Sequence, residues 1–333
     1  MTTPHPSPRG DGAAPAPVGV GTAHAKTILI GEHAVVYGAP AIALPVHGLA
    51  TRAELHAGGP WALDCDLHHG SVDDAPPAIA PVVTAWRQAV DRVTAANGRP
   101  DPIEPHQLTG RLRLISEIPM QRGLGSSAAV AAAVVDAVAA ASGVPLGLAE
   151  RTELVQQSEM IAHGKASGID TAAVLSNVPI LFEQGAIAPL EVGGRFVFVV
   201  ADTGVPSSTA TAVGGVRTLR GEQPAVVNGL VNRLSELTRV AVDALQRGDA
   251  VALGAVMDEA HAALNRLGVG SDGLDRLVDA ARRAGALGAK LTGGGLGGCI
   301  LVLCGADDIT RVQEGLRTAG ARGTWTTILE GTA

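Results

Sequence analysis

The segment Pro119 to Ala141, PMQRGLGSSAAVAAAVVDAVAAA, is a glycine-serine turn running directly into an alanine-valine helix, and it leaves few ways for the surrounding chain to fold. It follows RLRLISEI, residues 111 to 118, where arginine or polar residues alternate with Leu112, Leu114, Ile115 and Ile118 in the manner of a strand. The order is therefore strand, tight turn, helix. Gly123 and Gly125 let the backbone take positive φ and approach a ligand closely, and Ser126 and Ser127 fall where the first unpaired helix N–H groups point outward. Helix N-termini carry about half a positive charge from aligned peptide dipoles, and serine hydroxyls add donors or a metal ligand, so phosphate is the natural guest. Simple N-capping would need one serine and no paired glycines.

Two familiar phosphate patterns can be set against this turn. The Walker pattern requires glycine followed at once by Lys and then Ser or Thr; no such triplet occurs, which excludes an ordinary P-loop. Gly123-Leu-Gly125-Ser-Ser-Ala128 matches the relaxed dinucleotide fingerprint G-x-G-x-x-A, but the stretch about twenty residues on, VPLGLAE, is a turn and not an acid-ended second strand. A dinucleotide oxidoreductase is thus the weaker reading.

A length of 333 residues allows about two domains, and 46% hydrophobic content with a mean hydropathy of +0.25 supplies sizeable cores. A net charge of −7, a pI of 5.8 and only 2% aromatic residues argue against nucleic acid, since neither a basic footprint nor stacking residues are available. Of the three cysteines, Cys65 stands alone and Cys299 and Cys304 lie in an apolar run, the pattern of reduced buried thiols in a cytoplasmic protein. No uninterrupted apolar stretch is long enough to span a bilayer, so a membrane is not an expected partner. Residues 1 to 17 carry five prolines and no apolar h-region, and read as a disordered tail and not a signal peptide.

The folded part is expected to begin near Val18. Residues 18 to 46 show β-like apolar runs broken by glycine turns, with Lys26, Glu32, His33 and Tyr37 set among them; these polar residues are either functional or satisfied core groups. TRAELH reads as a strand, Pro76 to Pro81 as a loop and residues 82 to 97 as a helix; His68-His69 lacks partners at metal-ligand spacing. A helix from about Leu148 ends at Gly164, with Glu159 and His163 at i,i+4, either solvated or functional. Asp170 sits at the start of another helix, where N-capping is its bland role. FVFVVA, 196 to 201, is a fully apolar strand; helices follow at 207 to 220, 224 to 247, 249 to 267, 272 to 284 and 307 to 319, with a last strand at 324 to 329. The second glycine cluster, LTGGGLGGCILVLC, opens a strand and not a helix, so its glycines serve close packing, against a neighbouring element or against the first glycine loop across a cleft.

Three segments now stand together: AKTILIGEHAVVYG at 25 to 38, PMQRGLGSSAA at 119 to 129 and KLTGGGLGGC at 290 to 299. They resemble the three motifs of the GHMP kinase superfamily in order, spacing and position, and the resemblance spans essentially the whole chain. GEHAVVYG is most similar to the mevalonate kinases, since galactokinases carry an acidic, asparagine-rich continuation after GEH and phosphomevalonate kinases usually replace the His with Tyr. HGKASGID at 163 to 170 and LNRLGVGSDGLDRL at 264 to 277 look like further signatures of the same family.

The resemblance implies an α+β, two-domain GHMP kinase fold. Its N-terminal domain, 18 to 192, would resemble ribosomal protein S5 domain 2, and its C-terminal domain, 193 to 331, would be ferredoxin-like, with ATP, Mg²⁺ and mevalonate between them. By position, Asp170 matches the family's catalytic aspartate, Lys26 its lysine near the transferred phosphate, and Ser127 and Glu159 its magnesium ligands. Pro119, Gln121, Arg122, Gly123, Leu124, Gly125, Ser126, Ser127 and Ala128 fall on the phosphate loop, and Glu32 and His33 on the mevalonate side. The implied activity is phosphorylation of the 5-hydroxyl of mevalonate, in the cytoplasm, on the route to isoprenoids; a homodimer is compatible with it. The alternatives are a phosphomevalonate, homoserine or sugar kinase of the superfamily, or a catalytically silent binding protein of the same fold. Three departures bear on loop geometry: His24-Ala25 replaces the usual Pro-Gly, Gln121 stands where Gly or Ala is common, and Ala166 replaces a proline.

Overall fold

Two sheets, the first mixed and the second antiparallel, organise a computed structural model that describes residues 16–95, 108–164 and 168–331. In the first half, β1 (Gly19–Ile30) and the long β2 (Ala41–Ala57) are joined through a 3-10 turn at Ala34–Tyr37. TRAELH is the second part of β2, a single strand of 17 residues and not a separate one. Then come β3 (Ala62–Cys65), β4 (His68–Ser71), α1 (Ala80–Thr94), β5 (Gly110–Ser116), α2 (Ser126–Ser142), α3 (Leu148–His163), α4 (Ile169–Leu175), β6 (Ile180–Glu183) and β7 (Ala186–Pro189). The expected loop at Pro76 to Pro81 is instead a 3-10 turn leading into α1, with Pro81 in the first helical turn where its missing N–H leaves no bond unmade. β2 is the spine of this sheet, pairing with β1, β5 and β6.

The second half runs β8 (Phe196–Asp202), α5 (Thr209–Glu222), α6 (Pro224–Arg247), α7 (Ala250–Arg266), α8 (Asp272–Arg283), β9 (Gly288–Thr292), β10 (Cys299–Cys304), α9 (Ile309–Thr318) and β11 (Gly323–Leu329). Its four strands lie in the order β11-β8-β10-β9, the ferredoxin-like arrangement in which a hairpin is flanked by two crossover helical segments. β8 and β10 are central and buried on both faces, which is why they read as unbroken apolar runs and not as alternations. Cys299 and Cys304 are buried there as free thiols, and burial pushes the Cys304 thiol up to about 11.

α2 is apolar on most sides because it is packed on most sides, by β1 on one and by α1 and α3 on others, with Asp136 its one charged residue, paired to Arg151 of α3. Its approach to β1 is close enough that a Cβ at Gly19 or Gly21 would overlap the carbonyls of Ala137 and Ala133, so glycine at these positions sets the helix-to-sheet distance. A smaller cluster, Ile28, Ala41, Ala43, Ile169, Ala173, Ile180 and Phe182, seats α4 on the opposite face of β1 and β2. The tail expected at 1 to 17 falls mostly outside the described residues, as does Ala166. Among the described residues no helix is long and apolar enough to cross a membrane.

Candidate active site

The phosphate loop is held where three elements meet. β5 ends at Ser116, the chain turns through residues 118–125, and α2 starts at Ser126 with Gly125 as its N-cap in the left-handed region (φ 71°) and no side chain capping it. The first-turn N–H groups of α2 are therefore free of a side-chain cap, as an anion site requires. The Lys26 backbone N–H donates to Leu124 O at 3.0 Å, fastening the loop to β1. A Cβ on Gly125 would come within 2.8 Å of Lys26 Cγ, so the lysine stem lies against the loop.

Side chains of β1 alternate faces, and Ile28, two residues beyond Lys26, packs on α4 with Ile169. Lys26 consequently emerges on the α4 side, where its Nζ lies 2.8 Å from Asp170 Oδ1. Asp170 does not cap α4: Gly168 is the N-cap residue, and Asp170 sits within the first turn. On α3, Leu154, Val155, Ser158 and Glu159 form the buried face, and the Ser158 hydroxyl donates to Pro81 O at 2.9 Å. Glu159 is thus not a solvated surface residue: it is 4% exposed, and its Oε1 has no hydrogen-bond partner among the described residues. Burial raises its pKa above the ordinary carboxylate value, against the Ser127 hydroxyl and the His163 ring beside it. Ser127 Oγ lies 3.2 Å from His163 Nε2.

Opposite this cluster, Glu32 and His33 project onto the second sheet. Glu32 pairs with Lys290 of β9, both almost wholly buried, and Lys290 Nζ also donates to Leu291 O at 2.7 Å. Desolvation pushes the Glu32 pKa up and the Lys290 pKa down, while their attraction opposes both shifts. Glu32 Oε2 is buried without a partner among the described residues. His33, at φ 60°, donates from Nε2 to Gly294 O at 3.0 Å, and its buried Nδ1 has no partner among the described residues. Thr292 completes the seam: its hydroxyl donates to Ile28 O at 2.9 Å, accepts from Ile28 N–H at 3.1 Å and lies 2.9 Å from Thr27 Oγ1.

The two glycine clusters meet across the cleft. A Cβ on Gly293 would stand 3.1 Å from Gly123 Cα, while one on Gly295 or Gly297 would overlap the Val269 or Pro206 carbonyl, so the cluster packs both against the first glycine loop and against neighbouring segments of its own half. Lys290 escaped sequence reasoning because KLTGGG reads as backbone packing; a lone lysine between Ala289 and Leu291 on a buried strand was the available signal. Tyr37 lies beneath the Arg220 guanidinium, 4.5 Å from the ring centre, away from these groups. A cavity of about 320 Å³ opens beside the loop, walled by Ile79, Val82, Leu114, Ile118, Met120 and Ser126. A larger groove of about 460 Å³ between α6 and α7 contains none of these site residues.

An uncapped helix N-terminus, a buried carboxylate beside a helix serine and a lysine–aspartate pair thus stand together around the glycine-serine loop. The GHMP kinase N-terminal domain matches residues 85–177 and the GHMP kinase C-terminal domain residues 241–322. Mevalonate kinase of Thermococcus gammatolerans is 35% identical over 304 residues, covering 85% of this chain and 88% of that protein. Mevalonate kinase of Aeropyrum pernix is 31% identical over 318 residues, covering 93% and 95%. The crystal structure of L. major mevalonate kinase in complex with R-mevalonate superposes with a TM-score of 0.79 at 27% identity, covering 95% of this chain and 97% of that one. The chain belongs to the mevalonate kinase family.

Proposed function

We propose that this protein transfers the terminal phosphoryl group of ATP to the 5-hydroxyl of mevalonate, with Mg²⁺ as the metal. The observation that carries the reading is the Lys26–Asp170 pair at 2.8 Å beside an uncapped helix N-terminus. Phosphoryl transfer passes through a loose transition state, so the protein's task is positioning and charge neutralisation. The N–H groups at the start of α2 would hold the phosphates, and the apolar cavity next to Ser126 suits the nucleotide base. Asp170 would orient the acceptor hydroxyl and take up its proton, while Lys26, paired with it, faces the transferring group.

Ser127 and Glu159 fit a magnesium ion on two grounds. Glu159 Oε1 is a buried oxygen without a hydrogen-bond partner among the described residues, and one carboxylate plus one hydroxyl suffices for an ion that retains waters and phosphate oxygens as further ligands. Bound there, the metal would neutralise charge on the phosphates. Glu32 and His33 would line the acceptor side, with Lys290 fixing the orientation of Glu32.

The reading is tested by incubating the protein with ATP, Mg²⁺ and a panel of acceptors: mevalonate, phosphomevalonate, homoserine and galactose. Mevalonate should be turned over far faster than the rest. Preference for another acceptor would reassign the substrate within the superfamily, and absence of turnover with nucleotide binding intact would make this a binding protein.

A further inference from the structure

An arginine within a phosphate loop is ordinarily placed to grip phosphate through its guanidinium fork. Arg122 turns the other way. Its Nε donates to Asp202 Oδ1 at 2.7 Å and its Nη2 to Gly204 O at 3.1 Å, both at the end of β8 in the second sheet. Its Nη1 donates back to Met120 O at 3.3 Å and to Gln121 O at 3.4 Å. Gln121 O also accepts from the Ser207 N–H at 2.8 Å. The acceptor end is itself anchored, since Asp202 Oδ1 accepts from the Gly204 N–H at 2.8 Å and Asp202 O from the Arg322 N–H at 2.8 Å. The pair is largely shielded, with side-chain exposures of 14% and 8%.

These contacts act on loop geometry. Gln121 stands in the left-handed region (φ 57°), a conformation a non-glycine residue keeps only when its surroundings impose it. With the carbonyls of Met120 and Gln121 directed at the guanidinium, each trans peptide turns its N–H the opposite way. The Arg122 carbonyl also lies where a Cβ on Gly298 would approach it to 3.1 Å, so the loop rests directly on the second glycine cluster.

We propose that Arg122 is a positioning residue, which latches the phosphate loop to Asp202 and Gly204 and thereby presets it for nucleotide without touching the phosphates. The proposal rests on the reading of residues 119–128 as the ATP phosphate loop.

Four proteins decide it: wild type, Arg122→Gln, Arg122→Lys and Asp202→Asn, each measured for MgATP affinity by calorimetry, KM for ATP and for mevalonate, kcat and Tm. Losing a charge-assisted latch should raise the Kd for MgATP about tenfold in both Arg122→Gln and Asp202→Asn, with the KM for mevalonate moving less than that. Arg122→Lys, which keeps the ion pair but not the fork to the carbonyls, should fall between them and wild type. If Asp202→Asn leaves MgATP affinity unchanged or tightens it while Arg122→Gln weakens it, the guanidinium acts on phosphate itself and the latch is wrong. A lowered Tm with unchanged MgATP affinity in both variants would overturn it as well, reducing the pair to a structural strut. Failure of the wild type to bind MgATP would remove the kinase reading beneath it. Asp202→Asn is isosteric and retains the acceptor for Gly204 N–H, so it carries the test even if Arg122→Gln does not fold.

Discussion

Lys26 and Asp170 form a 2.8 Å ion pair whose two ends differ in access to solvent: the lysine side chain is 4% exposed and the aspartate 40%. The positive end is sealed between β1 and the phosphate loop, and the carboxylate opens onto the cleft. A hydroxyl arriving from solvent therefore meets the carboxylate first, with a fixed cation behind it.

Replacing Asp170 by Asn separates chemistry from architecture. Gly168 occupies the N-cap position of α4, so the carboxylate's contribution to the helix is limited to its interaction with the dipole, about 0.3–1 kcal/mol. Asp170→Asn keeps an oxygen acceptor for Lys26 Nζ but not the ion pair, so it should fold with a modestly lowered Tm and still bind ATP, yet lose at least about a hundredfold in kcat, the scale of positioned acid–base help. Melting, nucleotide binding and kcat belong on one preparation. A folded variant retaining more than about a tenth of wild-type kcat would make the carboxylate structural.

Ser127→Ala and Glu159→Gln should each shift the Mg²⁺ titration of activity to higher metal concentration more than they change the KM for mevalonate. The unpartnered Oε1 of Glu159 motivates the expectation. Overlaying metal titrations for both variants and wild type would leave Glu159 as a buried structural carboxylate and place the metal elsewhere.

The buried Glu32–Lys290 pair should show strong coupling. Truncating one partner strands a desolvated charge, so Lys290→Met should cost about 3–5 kcal/mol in denaturant unfolding, and Glu32→Gln combined with Lys290→Met should recover part of that loss. A single-variant cost below about 1 kcal/mol, the range of solvated pairs, would contradict the burial of this seam.

His33 sets a pH dependence of stability. With Nε2–H committed to Gly294 O and Nδ1 buried without an acceptor, burial holds its pKa below the ordinary value of 6.5. Between the lowered folded value and 6.5 the unfolded chain binds a proton that the folded chain refuses, so this stabilisation is present above 6.5 and lost as pH falls toward the folded value. The Tm of wild type should therefore drop more between about pH 7.5 and about pH 5.5 than that of His33→Gln. Parallel Tm curves for the two proteins would show that His33 titrates freely in the fold.

Local patterns in the chain determined a good deal. The glycine-serine turn opening an apolar helix, the all-apolar β8 and the successive helices of the second half were legible because turn chemistry and hydrophobic periodicity act over a few residues. Lys26, Ser127, Glu159 and Asp170 could be nominated from the motifs that contain them. Their roles could not be separated from capping or solvation, because each has a plausible local use.

Tertiary structure removed two of those local uses. Glu159 left the solvated face only because α3 packs that side toward α2 and α1, and Asp170 ceased to be a cap because Gly168 took the N-cap position. Glu32 meets Lys290, and Arg122 meets Asp202, across residues far apart in sequence. Periodicity records which way a side chain faces relative to its own element and carries nothing about which distant element will face it. Those pairings come from how the two sheets dock, with desolvation of the charges at the seam making each choice of partner energetically consequential.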